Sequence, residues 1–361
     1  MVKSVTSADA RASARLAALG RSVLDYAEPV EPQVRRSIDE GLRRGTTDAV
    51  VHAAALWMAF DAGADLRLNR SLARGWLPGL HELIHSGHLD AASYALPKLK
   101  SAYPQMRYLE NMDIVFKRLP HAVGRGREPF LDDRTSDVQV VEMPGAETMI
   151  IGFCGGSHQL GMPINLLDRW LAQTGSHVIY LRDRKKIGYA EGIPTLGDDM
   201  ASTIDTLRHL AGDVGARRIV CLGHSAGATG ALRFARTLGA ERVLALSPIT
   251  GGAEYEERIS PHLPTVAGAP WVDLVPLYRD GGGVRAHIVY GEQHEGDRQQ
   301  CVRMAGLRGI TVEALADCES HHIMGELLRA GRLEKVIHWL MSGDESSGLR
   351  SLAPPVRPLG A

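Results

Sequence analysis

Ser225 lies in Gly223-His224-Ser225-Ala226-Gly227, with an apolar run, Ile219 to Leu222, before it and a helix-like segment to Ala235 after it. This spacing suits a serine held at a sharp bend between a strand and a helix. The hydroxyl is exposed, and there is no room behind it for side chains at 223 and 227. The chemistry such a serine offers is nucleophilic attack on an acyl carbon. The Ala226 N–H, at the start of the helix, would face the negative charge that builds on the carbonyl oxygen. A free serine hydroxyl is a poor nucleophile near neutral pH, so a base and an orienting acid are also required. By composition the five-residue pattern should arise by chance roughly 0.2 times in a chain of this length, so the partners must carry the inference.

Those partners are expected at the ends of later strands, the acid first and the histidine last. After an apolar run ending at Tyr290 comes Gly-Glu-Gln-His-Glu-Gly-Asp, residues 291–297. Asp297 is the preferred acid, with Glu292 and Glu295 as alternatives. Asp297 would equally serve as the N-cap of a helix starting near Arg298. After a run ending near Leu315 comes Asp-Cys-Glu-Ser-His-His, residues 317–322. His321 is the preferred base, because Ile323 and Leu327 would then anchor its loop; His322 is the alternative. An early strand, Thr148–Phe153, runs into Cys154-Gly155-Gly156-Ser157-His158. Paired glycines at 155 and 156 would let backbone N–H groups turn toward the serine.

The elements that must position these groups are short β-branched runs alternating with helical segments. Strands are expected at Val138–Met143, Thr148–Phe153, His177–Leu181, Arg218–Leu222, Val243–Leu246, His287–Tyr290 and Ile310–Ala314. Helices are expected near Ile164–Gln173, Asp198–Leu210, Ala226–Leu238 and Glu326–Met341. Non-alternating apolar strands separated by helices imply an α/β fold with a mostly parallel, doubly wound sheet covered on both faces. Ahead of it, apolar residues recur at helical spacing from about Ser37 to Leu119, which predicts a small all-α domain. The expected organisation is a helical domain over 1–119, a Gly-, Pro- and charge-rich linker over 120–136, the α/β domain over 137–343 and a flexible tail over 344–361. Within the helical part, Gly87 to Pro104 loosely resembles the helical-pair repeats of the tetratricopeptide type.

With these motifs in place, the segment from about Val138 to Met341 resembles the α/β-hydrolase family of esterases, lipases and thioesterases. GFCGG at 152–156 falls at the family's oxyanion loop, GHSAG at its nucleophile elbow, Asp297 at its acid and His321 at its base. The resemblance implies Ser225 as nucleophile, Gly155 or Gly156 with Ala226 as oxyanion donors, and no metal or organic cofactor. Two features depart from the family. Phe153-Cys154 stands where many members carry His-Gly, and the usual strand-Gly-x-x-Asp position is His294.

The expected function is therefore hydrolysis or transfer of an ester or thioester acyl group on a small-molecule substrate. Two rival readings accompany it. One is a non-catalytic binding module on the same fold, with the helical domain recruiting a protein partner or a second copy of the chain. The other is a zinc metalloprotease, since His81-Glu82-Leu83-Ile84-His85 matches H-E-x-x-H. That motif should arise by chance about 0.03 times here. Pro78 and Gly87 nevertheless confine its helix to about two turns, and Leu80, Leu83 and Ile84 explain it as a packing face. Two further segments border the expected site: a Pro- and Gly-rich excursion from Ser247 to Gly283 carrying Tyr255, Trp271 and Tyr278, and the basic run Arg182 to Lys186. The basic run reads as a solvated loop or as a contact for an anionic or sugar-like substrate.

Of 361 residues, 44% are hydrophobic and 23% charged, enough for a sizeable core. The formal net charge of −1 gives no drive toward nucleic acid or anionic membrane. No apolar run reaches membrane-spanning length. Asp9, Arg11 and Arg15 interrupt any signal-peptide core; the Ser-, Ala- and Arg-rich N-terminus has the composition of a transit peptide but reads rather as a frayed or helical extension. Cys154, Cys221, Cys301 and Cys318 form no C-x-x-C pair and are expected as reduced thiols of a cytoplasmic protein.

Overall fold

The computed structural model describes residues 80, 81, 84, 85, 89–120, 127, 130–251, 273–280 and 283–344. Most of the expected helical domain, the tail beyond 344, and Tyr255 and Trp271 lie outside these residues. The chain divides into two compact units, Met1–Arg118 and Leu119–Ala361.

In the first unit, α1 (Leu89–Ala102) and α2 (Arg107–Arg118) pack together. Ala92, Leu96 and Leu99 of α1 and Leu109, Met112 and Val115 of α2 are buried at helical spacing. Lys100 and Asp113 join the two helices by an ion pair. His81 and His85 lie one helical turn apart, their ring centroids separated by 6.0 Å. His81 stacks on Tyr108, whereas His85 is buried; Glu82 lies outside the described residues.

The second unit is built on a seven-stranded sheet: β1 (Val138–Val141), β2 (Thr148–Phe153), β3 (His177–Leu181), β4 (Arg218–His224), β5 (Arg242–Leu246), β6 (Arg285–Gly291) and β7 (Ile310–Leu315). Its spatial order is β1-β3-β2-β4-β5-β6-β7. Only β1, on the edge, runs antiparallel, with Val138 opposite Leu181 and Val141 opposite Val178. Along the central strands Ile151 pairs with both Ile179 and Cys221, and Leu244 pairs with Leu222 and His287. Successive strand residues point to opposite faces, so the apolar runs must be covered twice.

On one face Met149, Ile151, Phe153, Ile179, Val243 and Ile288 form a core with four helices. These are α4 (Met200–Asp213), α5 (Ala226–Leu238), α6 (Leu274–Tyr278) and α7 (Glu295–Val302). The other face carries α3 (Ile164–Ala172), α8 (Ile323–Arg329) and α9 (Leu333–Ser342). There Tyr180 of β3 donates to Asp168 of α3 at 2.5 Å, and His287 of β6 meets the Trp339 ring of α9 edge-on. Asp168 is buried and also receives the Arg127 guanidinium, so that α3 is fastened to the sheet by a buried polar cluster. This is the doubly wound, mostly parallel sheet expected from the sequence. Its strands fall on all seven expected runs.

The helices differ from expectation in three places. The single helix expected over Glu326–Met341 is two, α8 and α9, because Gly331 adopts φ 67° between them. The short α6, N-capped by Asp273, closes the excursion after β5. Helix α7 starts at Glu295 with His294 as its N-cap, so Asp297 lies within the first turn rather than capping it. At the end of the sheet where the chain enters β2 to β7, every connection turns through a glycine of positive φ: Gly145, Gly175, Gly215, Gly239, Gly283 and Gly309. The opposite end, where the chain leaves the strands, is built differently and carries the site.

Candidate active site

Ser225 links β4 to α5 with φ 55° and ψ −126°, a conformation that L side chains rarely adopt. Its N–H donates to Leu246 O of β5 at 2.8 Å, which fixes the bend against the neighbouring strand. The flanking glycines show why the bend has this sequence. A Cβ at Gly223 would lie 2.4 Å from Gly227 O, and one at Gly227 would lie 2.0 Å from Phe153 O. No side chain fits at either distance. Six described residues other than glycine have positive φ: His158, Lys186, Tyr189, Ser225, Ser247 and Asp317. All six lie in loops leaving the C-terminal ends of strands, on one rim of the sheet. Strain of this kind concentrates at functional sites.

On that rim His321 Nε2 lies 2.9 Å from Ser225 Oγ. Its Nδ1 lies 2.9 Å from both carboxylate oxygens of Asp297. Asp297 is buried, inside the first turn of α7, where the helix N-terminus favours a negative charge. Neither alternative acid reaches the imidazole. Glu292 is exposed and its carboxylate meets the Asp317 N–H, while Glu295 is exposed and paired with Arg298. The alternative base, His322, N-caps α8 and does not contact Ser225; its ring stacks on His224, with centroids 5.7 Å apart at 16°.

The loop after β2 presses directly on the serine. A Cβ at Gly155 would come within 2.8 Å of His224 O and 3.5 Å of Ser225 Cβ. The Gly155 N–H, however, donates to Gln159 O at 2.8 Å and is therefore engaged within its own loop. The N–H groups of Gly156 and Ala226 make no hydrogen bond to any described residue, and a Cβ at Gly156 would meet open space. Tyr189, buried beneath the loop, has its hydroxyl 2.8 Å from Cys154 O and 2.7 Å from Leu181 O, which ties the loop to β3.

Two histidines not singled out from the sequence as site residues complete the surroundings. His224 is buried, and its Nε2–H donates to His321 O at 3.0 Å, holding the loop that carries His321. Burial, and then the nearby His321, push its pKa down to about 4, so it is neutral at pH 7. Burial and His321 likewise depress His322. His294 accepts the Asp297 N–H on Nδ1 at 3.1 Å and lies 3.2 Å from Asp297 Oδ1 through the same atom. The visible signals are the histidine inside G-x-S-x-G and the histidine three residues after Gly291.

The basic run after β3 is largely committed to structure. Arg182 is buried and pairs with Asp132, Arg184 donates to Arg134 O and Ser136 O, and Lys185 pairs with Glu191. The four cysteines are free and buried. Among the described residues no helix is long and apolar enough to cross a membrane.

No protein-family model matches the chain, and no curated protein matches it significantly. Solved structures do resemble it. A 2,6-dihydroxy-pseudo-oxynicotine hydrolase is 11% identical, covers 95% of this chain and 91% of its own, and has a TM-score of 0.46. The carboxylesterase CesB from Bacillus subtilis is 13% identical over 66% of this chain and 98% of its own, with a TM-score of 0.41. The capsule O-acetyltransferase of Neisseria meningitidis serogroup A is 12% identical over 58% of this chain and 96% of its own, with a TM-score of 0.40. Each is a likeness to this chain at an identity too low to carry a substrate across.

Proposed function

We propose that the chain is a serine hydrolase that cleaves an ester or thioester through an acyl-enzyme. One observation carries this reading: the unbroken contact from Ser225 Oγ through His321 to Asp297, each link 2.9 Å. That is hydrogen-bond distance for a nucleophile, its base and the acid that orients the base.

In the proposed mechanism Asp297 holds the tautomer with the proton on His321 Nδ1, leaving the Nε2 lone pair toward Ser225. As Oγ attacks the acyl carbon, Nε2 takes the hydroxyl proton. The N–H groups of Ala226 and Gly156 stabilise the charge on the former carbonyl oxygen. The imidazolium then returns its proton to the departing alcohol or thiol. Water, deprotonated by the same nitrogen, releases the acid and restores Ser225. Buried Asp297 stabilises the imidazolium and remains a carboxylate throughout. His224 holds the His321 backbone without joining the proton transfer.

A fluorophosphonate probe should label the wild-type protein, and Ser225→Ala should abolish labelling while the protein unfolds at the same temperature. Labelling that survives the substitution would remove Ser225 from the mechanism.

A further inference from the structure

Asp297 has an imidazole on either side, and only one of these contacts is an ordinary hydrogen bond. His321 Nδ1–H donates to the carboxylate. His294 Nδ1 already accepts the backbone N–H of Asp297, so it presents no proton to the carboxylate oxygen 3.2 Å away. The one lone pair of this nitrogen is held by a backbone N–H beside the carboxylate, and a cation bound to Oδ1 would lie within reach to take its place. The three ligand atoms of His294, Asp297 and His321 all lie within 4.8 Å of one another, the only such cluster among the described residues. With metal–ligand bonds of about 2.0–2.1 Å, the edge of a tetrahedral zinc site is about 3.3 Å. The two measured edges on the carboxylate are 3.2 Å and 2.9 Å, while the third, between the two imidazoles, lies within 4.8 Å and must close to the same edge as the ion binds. The imidazoles are 36% and 31% exposed, so an ion can enter from solvent and keep a water as its fourth ligand.

We propose that His294, Asp297 and His321 form a site for a divalent transition metal of the zinc type, and that filling it switches the base off. The second part rests on the serine-hydrolase reading; the binding itself does not. The switch follows from the tautomer. A metal on Nδ1 of His321 displaces the proton there. The ring stays neutral, its single proton passing through solvent to Nε2. Nε2 then donates toward Ser225 Oγ and has no lone pair left to accept the serine proton.

The test uses the full chain and zinc chloride. Titration calorimetry should show one zinc per chain in the wild type and in Ser225→Ala. His294→Asn keeps a good helix cap but removes the imidazole, and should weaken zinc roughly tenfold or more. His322→Asn, which removes the neighbouring ring outside the cluster, should bind as the wild type does. Hydrolysis of a short-chain nitrophenyl ester should fall in step with zinc occupancy, return on adding a chelator, and require about tenfold more zinc to inhibit His294→Asn. Equal zinc affinity in wild type and His294→Asn, or an equal loss in His322→Asn, would overturn the site. Zinc bound through His294 with ester turnover unaffected would overturn the switch. His294-dependent binding in a protein with no turnover even under chelation would support the site and remove the hydrolase reading.

Discussion

Acidification should destabilise this protein through His224 in particular. An ordinary imidazole titrates near 6.5, and in the folded chain His224 titrates near 4, chiefly because it is buried and secondarily because His321 lies beside it. Between those values the unfolded chain binds a proton that the folded chain refuses, so stability falls as pH drops through the window. At about 1.4 kcal/mol per pH unit, the loss between about pH 7 and about pH 4.5 is about 2.4 kcal/mol from this one group. His224→Gln removes the titration and keeps a side-chain donor near His321 O. Urea unfolding at a series of pH values measures the effect as a difference between the two proteins. The wild type should lose stability more steeply on acidification, and the gap between the curves should close as pH falls. Curves that run parallel across this range would show that His224 is not held neutral, and would refute its placement as a buried donor to the loop that carries His321.

Three further outcomes follow from the geometry. Asp297→Asn should lower ester turnover by roughly 10³–10⁴-fold, whereas Glu292→Gln and Glu295→Gln should leave it within about twofold of wild type; kcat measured on a nitrophenyl ester separates them. Gly227→Ala drives a Cβ into Phe153 O, so it should abolish fluorophosphonate labelling and lower the melting temperature, unlike Gly156→Ala, where the added methyl group meets open space. Asp168→Ala strands the buried Arg127 charge and the Tyr180 hydroxyl, and should cost about 3–5 kcal/mol by denaturant unfolding.

Much of the α/β unit is legible in the amino acids because its strands are unusually plain. Runs such as MIIGF and HVIYL are buried on both faces, and nothing but a covered sheet suits them. The elbow is legible for a related reason: Gly223 and Gly227 are glycines because backbone atoms occupy the space where side chains would go. Less was legible where one residue decides between two local outcomes. The pattern of Glu326–Met341 reads as one helix until Gly331 takes a left-handed conformation. The start of α7 was hidden because His294, an unusual cap, replaces the residues that normally announce a helix. The engagement of Gly155 N–H by Gln159 O depends on how the loop closes on itself, which spacing does not encode. The contacts of His224 and His294 are not encoded in spacing, because they arise from neighbours 97 and 3 residues away, one through a backbone carbonyl and one through a cap.

The two ends of the sheet differ in how they can be handled. Where the chain enters the strands, Gly145, Gly175, Gly215, Gly239 and Gly283 turn through conformations that suit glycine, with open space where a Cβ would lie. Where it leaves them, larger residues are held in left-handed conformations that only the surrounding packing can impose. A fusion partner, a new terminus made by circular permutation, or a tether to a solid support therefore belongs at the glycine end. There the chain can be opened without loosening the rim on which Ser225 is set.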